Sequence, residues 1–271
     1  MIWSQLFDVD YIDPEFIIKS NQLDDYYSMN KSRKDINSNK LKYLYNKNNI
    51  KKEFIHTGFN TPELYLYTQN EISLTDLSKY NTYVVKPAHM SWSDHVYINS
   101  VNIDRWGNII FNSNNTPYLC GCKTLLGIVD DINSCLHKET NRDEPEMLKQ
   151  CEKGIIVEEF INTVYELKVF VLWGCPFIAD LRTGSTEFSR QDFITKDNEY
   201  LNWDKEFDLI KKFAEKIKID FFRIDFLYDG NKLYASECAF MPSTILPDWV
   251  TELILSHWRK PYYKFYYPYL A

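Results

Sequence analysis

The stretch "FFRIDFLYDGNKLYASECAF", residues 221–240, decides how this chain is read. Two runs rich in Phe, Ile, Leu and Tyr flank Asp229-Gly230, the local signature of a β-hairpin. Arg223, Asp225 and Glu237 interrupt runs that otherwise suit burial. Side chains alternate between faces, so the register decides whether these charges meet. A two-residue loop, Asp229-Gly230, sets Tyr228 against Asn231 and puts Asp225 and Glu237 on opposite faces. A three-residue loop, Asp229-Gly230-Asn231, sets Tyr228 against Lys232, Asp225 against Ala235 and Arg223 against Glu237. Only the second gathers all three charges. Asp225 and Glu237 are then diagonal neighbours, and two carboxylates on one buried face require a cation. A divalent ion with oxygen ligands answers both acids. The structural alternative is an Arg223–Glu237 ion pair with Asp225 turned to solvent.

Composition narrows the class. With 271 residues, 45% apolar and 25% charged, the chain is globular and long enough to bury a large core. The net charge of −7 argues against a general nucleic-acid binder, which carries a basic face, though not against a local basic pocket. No apolar run is long enough for a membrane span, and the acidic N-terminus "MIWSQLFDVDYIDPEF" does not read as a signal peptide. A cytoplasmic protein is expected. Cys120, Cys122, Cys135, Cys151, Cys175 and Cys238 are scattered, with only His137 near the Cys120/Cys122 pair. Reduced, mostly buried thiols fit this better than structural zinc. The five histidines show no metal-ligand spacing, and no Ser/His/Asp or Cys/His catalytic set stands out.

Residues 1–75 read as a small N-terminal subdomain or arm. The polar segment "NKSRKDINSNKLKYLYNKNNIKK" has only rough helical spacing, and its lysines read as a solvated face. Beyond residue 82 the pattern sharpens. "TYVVKP" is a strand ended by Pro87, and residues 95–101 and 108–111 form a hairpin. Residues 122–137 and 142–153 are helical, and 154–161, 166–174 and 176–182 are strands. Residues 203–218 form the clearest amphipathic helix, with Phe207, Ile210, Phe213, Ala214 and Ile217 on one face. An aromatic tail, "HWRKPYYKFYYPYL", packs over the domain. Hairpins mixed with helices indicate an α+β fold, and neither a P-loop nor a G-x-G-x-x-G fingerprint is present.

Other charges stand out. Lys86 ends "TYVVKP" and leads into a turn with His89 and Ser91. Lys168 lies among Leu167, Val169, Phe170 and Val171, and Glu158 and Glu159 follow "IIV". Arg182 and Arg190, in "LRTGSTEFSR", are candidates for an anionic substrate or for surface loop charge. In order, "VVKPA", "IIVEEFI", "ELKVFVLWG", "FRIDF" and "ASECAF" resemble the ATP-grasp superfamily over residues 76–245. Within it, "KPAHMS", "ELKVFVLWGCPF" and "RIDFLYDGNKLYASECAFMP" look most like the TupA-like group, linked to teichuronopeptide and surface-polymer synthesis.

The resemblance implies two α+β subdomains, 76–153 lid-like and 154–271 catalytic with the aromatic tail, clasping ATP and Mg2+. It implies Lys86 and Lys168 on the α- and β-phosphates, and His89 and Ser91 in the flap above them. Glu158, Glu159, Phe160 and Ile161 would line adenine, with Glu158 toward its amino group. Asp225 and Glu237 would hold magnesium, and Arg223 would neutralise the transferred phosphoryl group. The flap lacks glycines many relatives use, and the third metal ligand is replaced by Ala239. The activity implied is a carboxylate–amine ligase working through an acylphosphate on a small molecule, glycan or peptide bearing a carboxylate. A kinase using the same ATP site and a non-catalytic nucleotide- or glycan-binding protein are the alternatives.

Overall fold

In chain order the elements are α1 (Asn39–Tyr45), α2 (Lys47–Thr57), β1 (Leu64–Thr68), α3 (Leu74–Leu77), β2 (Tyr83–Pro87), β3 (Tyr97–Ile103) and β4 (Ile109–Phe111). They continue with α4 (Leu125–Cys135), α5 (Glu146–Lys149), β5 (Ile155–Glu158), β6 (Tyr165–Leu172), β7 (Cys175–Thr183), β8 (Arg190–Ile194), α6 (Asp204–Ile217), β9 (Phe221–Tyr228), β10 (Leu233–Ala239) and α7 (Asp248–Trp258). The computed structural model describes residues 39–90, 95–103, 109–111, 125–138, 146–183, 190–194, 204–219, 221–242 and 246–258. The aromatic tail beyond Trp258 and the first part of the N-terminal segment lie outside the described residues.

Among the described residues the strands form two antiparallel sheets, ordered β1-β5-β2-β3-β4 and β10-β9-β6-β7-β8. The α+β class read from the sequence is the class observed. In the first sheet the alternation of "YVVKP" and "IIVE" sends Tyr83, Val85, Ile155 and Val157 into a core with Ile128, Val129 and Ile132 of α4. The opposite face is left to Lys86, Ile156 and Glu158. In the second sheet Leu167, Val169, Ile224 and Phe226 pack with Phe207, Ile210, Phe213 and Ala214 of α6, the stripe expected from its spacing.

Four elements were not read from the sequence, β1, α3, β8 and α7, and α1 and α2 were read only as rough helical spacing. The expected strand 154–161 ends at Glu158, and among the described residues the expected helix 142–153 is the short α5, residues 142–145 lying outside them. Helix α2 carries more weight than its polar sequence suggests. Asn46 caps it by accepting from the Asn48 and Asn49 N–H groups, and Gly58, at φ 101°, ends it in the left-handed region. Its Ile50 and Phe54 join the second sheet's core. Its first N–H, of Lys47, donates to the Ala88 carbonyl just beyond β2. One helix therefore touches both sheets, and β1 beyond it pairs with β5 at the first sheet's edge. Among the described residues no helix is long and apolar enough to cross a membrane.

Candidate functional site

The β9–β10 hairpin gathers its charges by a register that neither loop length anticipates. Tyr228 pairs with Leu233, so the loop has the four residues 229–232. Asp229 Oδ1 accepts from the Asn231 and Lys232 N–H groups, and Gly230 takes φ 99°. That register alone would turn Glu237 toward the core beside Ile224. A bulge between Ala235 and Glu237 absorbs one residue and sets Glu237 directly opposite Asp225, with Ala239 opposite Arg223. On the outer side of β10 the Ala235 N–H donates to the Asn60 carbonyl, in the connection after α2. The expected pairings, Asp225 with Ala235 and Arg223 with Glu237, are corrected, while the shared face is retained.

Across this face Glu237, Asp225, Lys168 and Asp180 form one row, each opposite the next on adjacent strands. Asp225 is buried and held side-on by Arg223, Nε to Oδ1 at 2.6 Å and Nη2 to Oδ2 at 2.7 Å, with Lys168 Nζ 3.3 Å from Oδ2. The alternative with Asp225 in solvent is therefore wrong. Burial alone would raise its pKa, but Arg223 and Lys168 hold it below the ordinary carboxylate range. Lys168 also lies 3.3 Å from Glu166, whose pKa is raised by burial and by the Asp225 charge against the pull of Lys168. Arg182 pairs with Asp180 at 2.9 Å and sits opposite Glu166. Arg190 lies in β8 opposite Thr183.

The first sheet contributes a second charged cluster. Glu158 is bridged by Lys86 to one oxygen and by Lys51 of α2 to the other, each at 2.5 Å, and all three are buried. Burial pushes the Glu158 carboxyl upward, but the two lysines outweigh it and hold the pKa low. Both oxygens expected to face an adenine amino group are thus occupied. Lys47, one turn earlier on α2, reaches Glu237 at 3.6 Å and also donates to the Met90 carbonyl. Lys86 lies close enough to Glu237 for their charges to interact. The two clusters therefore join where the sheets meet, through Glu158, Lys86, Lys47 and Glu237.

Lys47 and Lys51, like Glu166 and Asp180, are residues the sequence reading missed. Both lysines belong to those taken as a solvated face, yet Lys51 is buried and the Lys47 side chain is only 12% exposed. The available signal was their i,i+4 spacing, interleaved with the buried Ile50 and Phe54 of the same helix.

The remaining candidates behave differently. His89 is buried, its Nε2 donating to the Cys135 carbonyl at 3.2 Å while Nδ1 accepts from the Gly154 N–H. Burial lowers its pKa to about 4, so the ring is neutral and braces the turn rather than facing outward. Glu159 exchanges hydrogen bonds with the backbone of Glu63, its N–H to the Glu63 carbonyl and its carboxylate from the Glu63 N–H. Phe160 is half-buried and Ile161 buried, just beyond β5. Ser91 lies outside the described residues. Cys135, Cys151 and Cys238 are buried. The structure brings His95, Asp131 and Cys135 together, a grouping invisible in their spacing, and Asp131 there accepts from Tyr97 and pairs with His95.

Among solved structures, D-alanine–D-alanine ligase from Bacillus anthracis complexed with ATP superposes with a TM-score of 0.50 at 13% identity, over 82% of this chain and 63% of that one. The fold is the ATP-grasp fold. An ADP complex of N5-carboxyaminoimidazole ribonucleotide synthetase matches at TM-score 0.46 and 14% identity, over 74% of this chain and 46% of that one. The macrocyclase MdnC from Microcystis aeruginosa, bound to its precursor peptide, matches at 0.45 and 11%, over 80% and 61%. The chain thus spans under two thirds of the length of these three ATP-grasp structures. No protein-family profile matches the sequence, and no curated protein matches it.

Proposed function

We propose that this chain is an ATP- and magnesium-dependent ligase that activates a carboxylate as an acylphosphate and joins it to an amine. The observation carrying the reading is the continuous cluster of opposed charges where the two sheets meet: Glu158, Lys86, Lys47, Glu237, Asp225 and Lys168. A cluster in which each carboxylate already has an ammonium or guanidinium partner has no stability reason to be this extensive, because buried pairs roughly break even against apolar packing. It suits a ligand that carries both signs, and a nucleotide triphosphate with a divalent ion does.

The donor chemistry fits magnesium. Asp225 and Glu237 offer hard oxygens side by side on neighbouring strands, and Ala239, opposite Arg223, adds none. Magnesium accepts one or two carboxylates, with phosphate oxygens and water completing its shell. When bound, the ion supplies charge neutralisation between the phosphates. Lys86, Lys47 and Lys168 would exchange their carboxylate partners for phosphate oxygens, and Arg223 would meet the charge developing on the transferred phosphoryl group. The backbone beyond β5 at Phe160 and Ile161 would receive the adenine ring, while Glu158 keeps its pairing with Lys51. No protein nucleophile is needed, since positioning and charge neutralisation dominate phosphoryl transfer. The finer resemblance to the TupA-like group favours a substrate from surface glycan or peptide-polymer synthesis.

Thermal unfolding of the full chain with ATP and Mg2+, together and separately, tests the nucleotide site. At about 100 times the dissociation constant the pair should raise Tm by about 5–10 °C. That rise should disappear in Asp225→Asn. Incubating carboxylate pools with ATP, Mg2+ and hydroxylamine then separates ligase from kinase. A hydroxamate formed with ADP marks an acylphosphate, whereas ADP with a stable phosphorylated product marks a kinase. No thermal response in the wild type would sink both.

A further inference from the structure

The row of charges continues past Lys168 to a carboxylate that the nucleotide reading does not use. Asp180 of β7 lies opposite Lys168, one strand further from Asp225. Its side chain is 1% exposed. Arg182 approaches it with Nε and Nη2, both 2.9 Å from the same oxygen, Oδ2. Oδ1 is buried with no hydrogen-bond partner. A buried carboxylate oxygen without a donor is rare in a native fold and points to a group that arrives from outside.

The surroundings narrow what that group is. A divalent ion needs several oxygens, and Asp180 offers one, between Lys168 on the adjacent strand and Arg182 on its own. A single-charge cation that donates hydrogen bonds fits one carboxylate oxygen. Strands lie about 4.8 Å apart, so Asp180 stands about 10 Å along the row from Asp225. That span accommodates a phosphoryl group, the carbonyl carbon bonded to it, and a nucleophile about 3–3.5 Å beyond.

We infer that Asp180 seats the protonated primary amine that attacks the activated carboxylate, an inference that rests on the ligase reading above. The ammonium donates to Oδ1 and passes one proton to it. The freed nitrogen lone pair forms the C–N bond as the C–O bond to phosphate breaks, with that electron pair leaving on phosphate. The second nitrogen proton goes to the departing phosphate, and Asp180 returns its proton to water. Amide, hydrogen phosphate and one proton result, and the charges balance. Arg182 acts through Asp180 as a positioning residue, holding Oδ2 so that Oδ1 faces the row.

Ethylammonium is the probe, with tetramethylammonium, which has no N–H, as the matched cation. Thermal unfolding of the full chain is followed with each, in the presence and absence of ATP and Mg2+, at equal ionic strength. At about five times its dissociation constant, ethylammonium should raise Tm by about 2–4 °C. Tetramethylammonium should not, and Asp180→Asn should lose the ethylammonium response while keeping the nucleotide response. Equal responses to the two cations, no response to either, or an ethylammonium response that survives in Asp180→Asn would overturn the assignment. The wild-type comparison decides even where the variant fails to fold. Absence of the nucleotide response in the wild type, with the ethylammonium response intact, would overturn the ligase reading and leave Asp180 as an ammonium-binding residue without the nucleophile role.

Discussion

His89 shows how a residue that looks chemical can be structural. Its two ring nitrogens tie the turn after β2 to the end of α4 and to Gly154 at the start of β5. The cost of protonating it in place sets a pH dependence. In the unfolded chain the imidazole titrates near 6.5, and in the fold near 4. The folded pKa is depressed, so its contribution is complete above pH 6.5 and is lost as pH falls toward 4, where the unfolded chain binds a proton that the fold refuses. The difference amounts to about 3 kcal/mol. Urea denaturation at a series of pH values should show this slope in the wild type. His89→Gln should reduce it by up to one proton in that interval, and an unchanged slope would mean that the ring is not held neutral.

Among the elements, β10 is the one on which the site depends. Its bulge falls beside Asn60, which bonds the Leu233 carbonyl and the Ala235 N–H on the side of β10 away from β9. Removing Ser236 should close the bulge into a regular ladder with Glu237 still opposite Asp225, because the bulge absorbs that one residue. The deletion is therefore expected to retain the magnesium-dependent nucleotide response in thermal unfolding. Loss of that response in a protein of normal secondary structure would mean that the strand had slipped, carrying Glu237 to the core face. The parity of the hairpin was legible in the sequence only as a choice between loop lengths. The actual solution is a longer loop plus a compensating bulge, beside a contact with a segment far away in the chain.

Seen whole, the molecule is two sheets with their own apolar cores, joined through α2. Phe54 packs against Phe59 and Phe213, while Lys47 and Lys51 on the same helix reach the charged faces of both sheets. Phe54→Ala should cost about 3–5 kcal/mol, as expected for a fully buried ring. Because α2 serves both halves, the loss should appear as one cooperative transition in urea, with fluorescence and circular dichroism coincident. Two separated transitions would show that the sheets are stable independently of the helix.

The sequence by itself determined the class of fold, most strands of both sheets, helix α6, and the charged face of β6 and β9. Those follow from local periodicity, which needs no knowledge of neighbours: "YVVKP", "IIVE" and "ELKVFVL" each state which side chains are buried. It also singled out Lys86, Lys168, Asp225 and Glu237 as charges out of place in apolar strands, and the structure brings them together. Only the tertiary structure decided the register that puts Glu237 beside Asp225, the pairing of both Glu158 oxygens with lysines, the burial of Lys51 and the inward turn of Lys47 to Glu237. The reason is the same in each case. A lysine on a short polar helix and a carboxylate at a strand end read as solvated until the partner across the chain is known, and a charge is buried only where its counter-charge arrives from elsewhere.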